Sequence, residues 1–242
     1  MKAVLLDLDE TLFDHRFSCE AGIEAVRERY PELQQKSLAQ LEEEFYHLLN
    51  DMHKMVLQGR MTLEEARLER FRLMFLGCGH VLDPGELQKI ADLYSHVYST
   101  SRRPVPGALE LLHALRAQGI QVVVLTNHMT HVQVDKLEAC GLTALVDHLV
   151  TSEDVGVQKP DPRIFHHALA LCGVEPHEAM MVGDSWSADI LGAQASGIRS
   201  VWLNRRRTPI PDAEVAPEIF ELQELASTLN LSLERRYSQH VD

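Results

Sequence analysis

Asp7 and Asp9 stand two residues apart, directly after the apolar run Ala3–Leu6. In an extended backbone that spacing turns both side chains to one side. Two carboxylates so placed repel each other unless a cation or a shared proton compensates. The pair therefore suits metal binding or nucleophilic and acid–base work, although Asp9 could equally cap a turn. Asp184 and Asp189, five apart, straddle the end of another apolar run and the start of a helical stretch. An acid in a first helical turn is favoured by the helix dipole, which accounts for Asp189. Asp184 has no such role, and a further carboxylate at a strand end points to a hard divalent cation. Thr126-Asn127 closes a third run. A hydroxyl and an amide there can donate to phosphate oxygens, but both residues are also common in turns. Lys159 lies in Gly156-Val157-Gln158-Lys159-Pro160-Asp161-Pro162. Most lysines are solvated, yet one stiffened by two prolines before a helix is well placed to reach a site.

Such residues can meet only if the strands carrying them end along one edge. Short apolar runs at 3–6, 122–125, 179–182 and 200–203, with 145–150 weaker, read as buried parallel strands. Helical stretches are expected at 107–118, 129–139, 162–171 and 187–195, punctuated by Pro near their starts and Gly past their ends. Strand and helix alternating at this spacing predict an α/β fold, a Rossmann-like doubly wound parallel sheet, and ligands in such sheets bind beyond the C-terminal strand ends. About ninety residues between the first strand and Pro104 interrupt the rhythm. Apolar residues at three- and four-residue steps over 37–57, a Thr62/Glu65 capping box opening 62–76, and Asp83-Pro84 opening another helix make this an all-helical insert of about four helices. Its aromatic and Met stripe reads as bundle core. A terminal helix is expected over 217–236. The domains expected are a core of 1–14 with 104–242 and an inserted domain of 15–103.

The 242 residues carry 23 Lys+Arg against 36 Asp+Glu, a formal charge of −13. That balance argues against a nucleic-acid polymer or an anionic membrane as partner but not against a small anion met by local positive charge. Cys19, Cys78, Cys140 and Cys172 form no C-x-x-C pair, so neither a zinc cluster nor a disulfide framework is expected. No run reaches membrane-span length, and a cytoplasmic protein is expected, as a monomer or homodimer.

Taken in order, D-x-D-x-T at Asp7, Thr126-Asn127, Lys159 and the G-D-S-x-x-x-D run of Gly183 to Asp189 resemble the haloacid dehalogenase superfamily of phosphatases. The resemblance spans essentially the whole chain, the insert being similar to that superfamily's helical C1 cap. Gln58 to Thr62, Leu68 to Phe71 and Val155 to Phe165 more narrowly resemble the branch of pyrimidine 5′-nucleotidases and N-acylneuraminate-9-phosphatase. The resemblance implies a Mg²⁺-dependent phosphomonoesterase acting on a small phosphorylated metabolite, a nucleoside monophosphate or sugar phosphate, through an aspartyl-phosphate. It implies Asp7 as nucleophile and Asp9 as general acid and base. Mg²⁺ would lie on the carboxylates of Asp7 and Asp184 and the Asp9 carbonyl, with Asp189 behind. Thr126, the Asn127 backbone and Lys159 would hold the phosphoryl oxygens.

The helical cap would exclude water and select the leaving group, with His15, Phe17, Arg60 and His128 as candidates beside the more ordinary reading of each as structural or solvated. Arg205-Arg206-Arg207 reads as a solvated loop or a lure for an anion, and His166-His167 as surface. Three alternatives stay open: a phosphomutase of the β-phosphoglucomutase type, a 2-haloacid dehalogenase, and a non-catalytic binding protein. Asp9 and Asp184 argue against the second, and the intact set of acids and Lys159 against the third.

Overall fold

Four-residue β1 (Ala3–Leu6) is buried along its whole length, and both its neighbours are parallel to it. The computed structural model of the chain describes residues 1–212 and 214–229. Its sheet has six strands in the order β3-β2-β1-β4-β5-β6, with β2 (Gln121–Thr126), β3 (His148–Thr151), β4 (Ala179–Gly183), β5 (Arg199–Leu203) and β6 (Glu218–Ile219). Every pairing is parallel. Leu6 pairs with Val124 on one side and Val182 on the other, so the residues after β1, β2 and β4 leave the sheet at one edge. The strand order reverses at β1, where open α/β sheets bind ligands.

The helices of this unit are α5 (Ala108–Ala117), α6 (Thr130–Ala139), α7 (Ser152–Val155), α8 (Pro162–Cys172), α9 (Leu191–Ala195) and α10 (Leu222–Thr228). Alternate strand residues Ala3, Leu5, Val123, Leu125 and Met181 pack with Ile164, Phe165, Ala168 and Leu169 of α8 in one apolar cluster. At roughly 2 kcal/mol per buried Leu, Ile or Phe side chain, that layer supplies much of what holds the sheet edge in place.

Three elements differ from the sequence expectation. The strand expected at 145–150 begins only at His148, after a 3₁₀ turn at Thr143–Leu145. Asp147 is the cause: its N–H donates to the Val122 carbonyl, and its carboxylate accepts from the Val122 N–H at 2.8 Å and from Arg116 at 2.7 Å. The helix expected at 187–195 is instead a π-helical turn, Trp186–Ile190, followed by α9. There the Ser185 carbonyl accepts from both the Asp189 and Ile190 N–H groups. The helix expected over 217–236 gives way first to β6, because Trp202 N–H donates to the Pro217 carbonyl and Asn204 N–H to that of Ile219. Only then does α10 start, with Glu224 accepting from the N–H groups of Phe220 and Glu221; residues 230–236 of that expectation lie outside the described residues.

The chain divides into two compact units, 1–14 with 103–242, and 15–102. Arg103 goes with the first, its carbonyl accepting from Asp14 N–H and its guanidinium pairing with the Asp14 carboxylate at 2.8 Å. The second unit consists of α1 (His15–Arg29), α2 (Leu38–Leu57), α3 (Leu63–Leu76) and α4 (Pro84–Thr100), with a 3₁₀ turn at Pro31–Gln35. Capping boxes start α2 at Ser37/Gln40 and α3 at Thr62/Glu65. Phe45, Phe71, Phe75 and Tyr94 form its core with Ile23, Val26 and Leu41. Gly22 lets α1 approach α4, since a Cβ there would lie 2.6 Å from the Tyr94 ring. No described helix is long and apolar enough to cross a membrane.

Candidate active site

Asp7 sits one residue beyond β1, with its N–H extending the ladder to the Val182 carbonyl. Directly after it the chain turns tightly: the Leu8 carbonyl accepts from the N–H groups of Thr11, Leu12 and Phe13, and Glu10 takes a positive φ of 63°. That turn presents Asp9 beside α6. On the other side of β1, the loop after β4 supplies Asp184, whose carbonyl accepts from Trp202 Nε1 at 2.8 Å. The π turn supplies Asp189, whose Oδ2 accepts from Ser185 N–H at 2.9 Å. Gly183 is required here, because any Cβ would collide with the Asp189 carboxylate.

Carboxylate oxygens of Asp7, Asp184 and Asp189 all lie within 4.8 Å of one another. Burial drives the electrostatics. It raises Asp7 to about 7, with Asp189 and Asp9 adding to the rise and Lys159 opposing it. Asp184 is held well above the ordinary carboxylate range by burial and then by Asp7, Asp189 and Glu10. One cation is already built in. Lys159 Nζ donates to Asp7 Oδ1 at 2.7 Å, Asp189 Oδ1 at 2.6 Å and the Leu125 carbonyl at 2.7 Å. Burial works against the charged ammonium, but Asp189 and Asp7 outweigh it and raise the Lys159 pKa above its usual value.

All three N–H bonds of the Lys159 ammonium are engaged by the protein. The Asn127 side chain is engaged as well. Its amide donates to the Lys159 carbonyl at 2.9 Å and accepts from the Lys159 N–H at 2.7 Å. The side chain thus fixes the lysine loop, and the phosphate contact expected of Asn127 is one of its backbone, not of this amide. Thr126, 2% exposed, accepts at Oγ1 from Gln133 Nε2 at 2.5 Å, which leaves its own O–H to donate.

The Asp9 carboxylate lies outside the cluster of three. It accepts from Lys136 Nζ at 2.6 and 2.8 Å and from Gln133 Nε2 at 3.2 Å. Both partners were missed in the sequence. Lys136 is 2% exposed and Gln133 fully buried. The available signal was their place in the buried stripe of α6, in register with Leu137 and Cys140, where an unsolvated Lys demands a partner. Arg205 was also missed as a partner: it donates to Asp14 at 3.2 Å and approaches the Glu10 carbonyl and carboxylate at 3.5 Å. Asp14, 3% exposed, is thereby held from both sides by Arg103 and Arg205. Arg206 and Arg207 are exposed, Arg207 stacking 4.2 Å over Phe220.

Of the remaining candidates, His128 Nδ1 accepts from the Met129 N–H in a local turn. His15 belongs to the helical unit, with Nδ1 3.0 Å from the Tyr98 hydroxyl and Nε2 3.4 Å from Cys19 Sγ. Phe17 lies in α1 of the same unit, and Arg60 is exposed between α2 and α3.

Residues 1–197 match the family model of haloacid dehalogenase-like hydrolases. The chain is 37% identical over 199 residues to a ribulose-1,5-bisphosphate 5-phosphatase from Halopiger xanaduensis, covering 82% of this chain and 83% of that one. It is 34% identical over 150 residues to the pyrimidine 5′-nucleotidase YjjG of Escherichia coli, covering 60% and 64%. The crystal structure of the putative HAD-hydrolase YfnB from Bacillus subtilis, bound to magnesium, superposes with a TM-score of 0.75 at 24% identity, over 95% of this chain and 99% of that one. The family match takes in β1 through α9, and with them Asp7, Lys159 and the acidic pair after β4; the chain belongs to the haloacid dehalogenase-like hydrolases.

Proposed function

We propose that the chain is a Mg²⁺-dependent phosphomonoesterase of small phosphorylated metabolites that works through an aspartyl-phosphate on Asp7. The observation that carries this reading is a buried nucleophile-grade carboxylate, Asp7, fixed by Lys159 inside a cluster of three acids. Relatives named as phosphatases of small metabolites support the substrate class.

The donor set fits Mg²⁺. Three carboxylates whose oxygens lie within 4.8 Å, two of them with raised pKa values, form an all-oxygen site short of positive charge. The carboxylates of Asp7 and Asp184 and the Asp9 carbonyl would hold the ion, with Asp189 orienting the set through Lys159. When bound, Mg²⁺ supplies positive charge that keeps Asp7 ionised near neutral pH and offsets charge on the phosphoryl oxygens.

Lys159 engages Asp7 Oδ1 and leaves Oδ2 to attack phosphorus. The new O–P bond forms as the ester P–O bond breaks, and Asp9 gives its proton to the departing alkoxide. Asp9 then takes a proton from water as that water attacks phosphorus. Inorganic phosphate leaves, and the Asp7 carboxylate is restored. Thr126 and the Asn127 N–H hold equatorial oxygens, where donors at the developing charge give the largest gain.

Hydrolysis of a generic aryl phosphate should require Mg²⁺, stop on addition of EDTA and resume when Mg²⁺ is returned in excess. Turnover that persists without divalent metal would overturn the reading. A screen of phosphorylated metabolites, scored by kcat/KM and by release of inorganic phosphate, identifies the substrate; transfer of the phosphoryl group back to a sugar, with none released, would identify a mutase instead.

Lys136 holds the Asp9 carboxylate in this scheme, so its effect should depend on the leaving group. Lys136→Met is expected to lower kcat/KM about 100-fold for alkyl phosphates, the range of a general-acid contribution. For p-nitrophenyl phosphate, whose leaving group needs no proton, the loss should be several-fold at most. Equal losses for both esters would assign Lys136 a purely structural part.

A further inference from the structure

The helical unit buries a positive charge that no acid answers. Arg70 on α3 is 8% exposed, and its Nε has no hydrogen-bond partner. Among the described residues no carboxylate pairs with it. Its surroundings are the Phe45 ring, 5.1 Å from the guanidinium carbon, the phenols of Tyr94 and Tyr98, the Cys19 thiol, and a second cation, Arg67. Arg67 lies one turn earlier on the same helix face, and its Nε is likewise buried with no hydrogen-bond partner. Other cations of this unit do find acids: Arg72 pairs with Glu69 at 2.6 Å, Lys36 with Glu44 at 2.6 Å, and Arg16 with Glu20 at 2.5 Å.

Stacking on Phe45 does not close the balance. A desolvated cation–π contact contributes about 2 kcal/mol, against several kcal/mol for a buried ion. It also uses only a face of the guanidinium and leaves the buried Nε–H unanswered. Deprotonation offers no escape either, because a guanidinium keeps its proton in proteins. Two such groups side by side repel, and burial with Arg67 nearby depresses the Arg70 pKa. What the pair lacks is a negative charge with oxygens matching a planar fork.

We propose that Arg70 and Arg67 form a binding site within the helical unit for a small oxyanion, a carboxylate or phosphate group. That group belongs to a free anion that binds the helical unit by itself. The site does not depend on the phosphatase reading.

The test uses the full chain in EDTA with sulfate as probe and thermal unfolding as readout. Wild type should gain stability with sulfate, and Arg70→Met should lose at least half of that gain while melting higher than wild type when sulfate is absent. Arg67→Met, at a half-buried position, should lose a similar part of the gain and serves if Arg70→Met does not fold. Sulfate responses equal to wild type in a folded variant overturn the proposal. Absence of any ester hydrolysis by wild type would defeat the phosphatase reading and leave the sulfate result standing.

Discussion

Asp7→Asn should lower turnover of every phosphate ester by about four orders of magnitude or more, the scale seen when a nucleophile is removed from a working set, while the protein stays folded. The amide has the shape of the carboxylate but cannot form the acyl phosphate, and its acidic neighbours are committed elsewhere: Asp189 is tied to Lys159 and Ser185, Asp9 to Lys136 and Gln133, and Asp184 would hold the metal. Stability should move the other way. Asp7 is raised to about 7 from an ordinary 3.8, by burial first and by Asp189 and Asp9 as well. A carboxyl with a raised folded-state pKa binds its proton more tightly in the native state, so stability in EDTA falls as pH rises from about 4 to about 7, with a slope of up to about 1.4 kcal/mol per pH unit for one proton. Above that window the deficit is constant. The Asn variant carries no such charge. Without metal it should match wild type near pH 4, melt increasingly higher through pH 7, and hold that advantage at pH 8. Steady-state assays and melting curves across that range check both halves. Substantial residual turnover would displace Asp7 as nucleophile, and a lower melting point at pH 8 would refute the account of charge strain.

The parts of this arrangement that announced themselves in the sequence are those set by short-range rules. Ala3–Leu6 had to be a buried parallel strand because four apolar residues precede two carboxylates, and the capping boxes at Ser37 and Thr62 mark helix starts by residue type alone. Asp7, Asp184 and Asp189 became a cluster once the strands ending before them were seen to be neighbours. Hidden were the groups whose role depends on a partner far along the chain. Lys136 meets Asp9 across 127 positions, and Arg205 meets Asp14 across 191. The buried stripe of α6 shows that Lys136 needs a partner but not which one, and nothing local distinguishes Arg205 from a solvated cation, because partner choice is settled by tertiary packing. The same holds for the Asn127 side chain, whose bonds to the Lys159 backbone cross 32 positions. β6 escaped for a different reason: two residues carry no periodicity, and only the backbone groups of β5 call for a further strand.

Lys159→Met should be the most destabilising single change at the site, and its penalty should depend on pH. Methionine nearly matches the aliphatic stem, so packing is largely kept. The loss is the ammonium, which leaves Asp7 and Asp189 facing each other with side chains 11% and 0% exposed. Removing one partner from a buried ion pair costs about 3–5 kcal/mol, roughly 10 °C in melting temperature for a chain of this length. Lys159 is raised above its ordinary 10.5 by Asp189 and Asp7, which outweigh the opposing effect of burial. Its contribution is therefore complete below pH 10.5 and lost only above it. The acids fix the other limit. Without the lysine the Asp7 pKa rises further, so at pH 5 Asp7 takes up a proton and much of the penalty disappears. The gap between wild type and variant in EDTA should accordingly be narrow at pH 5 and widest near pH 8. A steric fault would give a gap independent of pH. Catalysis separates the roles again: Lys159→Met should lower kcat by about 10²–10³, as for a lost donor at a developing charge, and the loss should persist at temperatures where the variant is fully folded. A gap that does not change with pH, in a variant that retains wild-type kcat, would reduce Lys159 to a packing residue. The reading of a lysine that both fixes the nucleophile and neutralises its acidic neighbours would then fail.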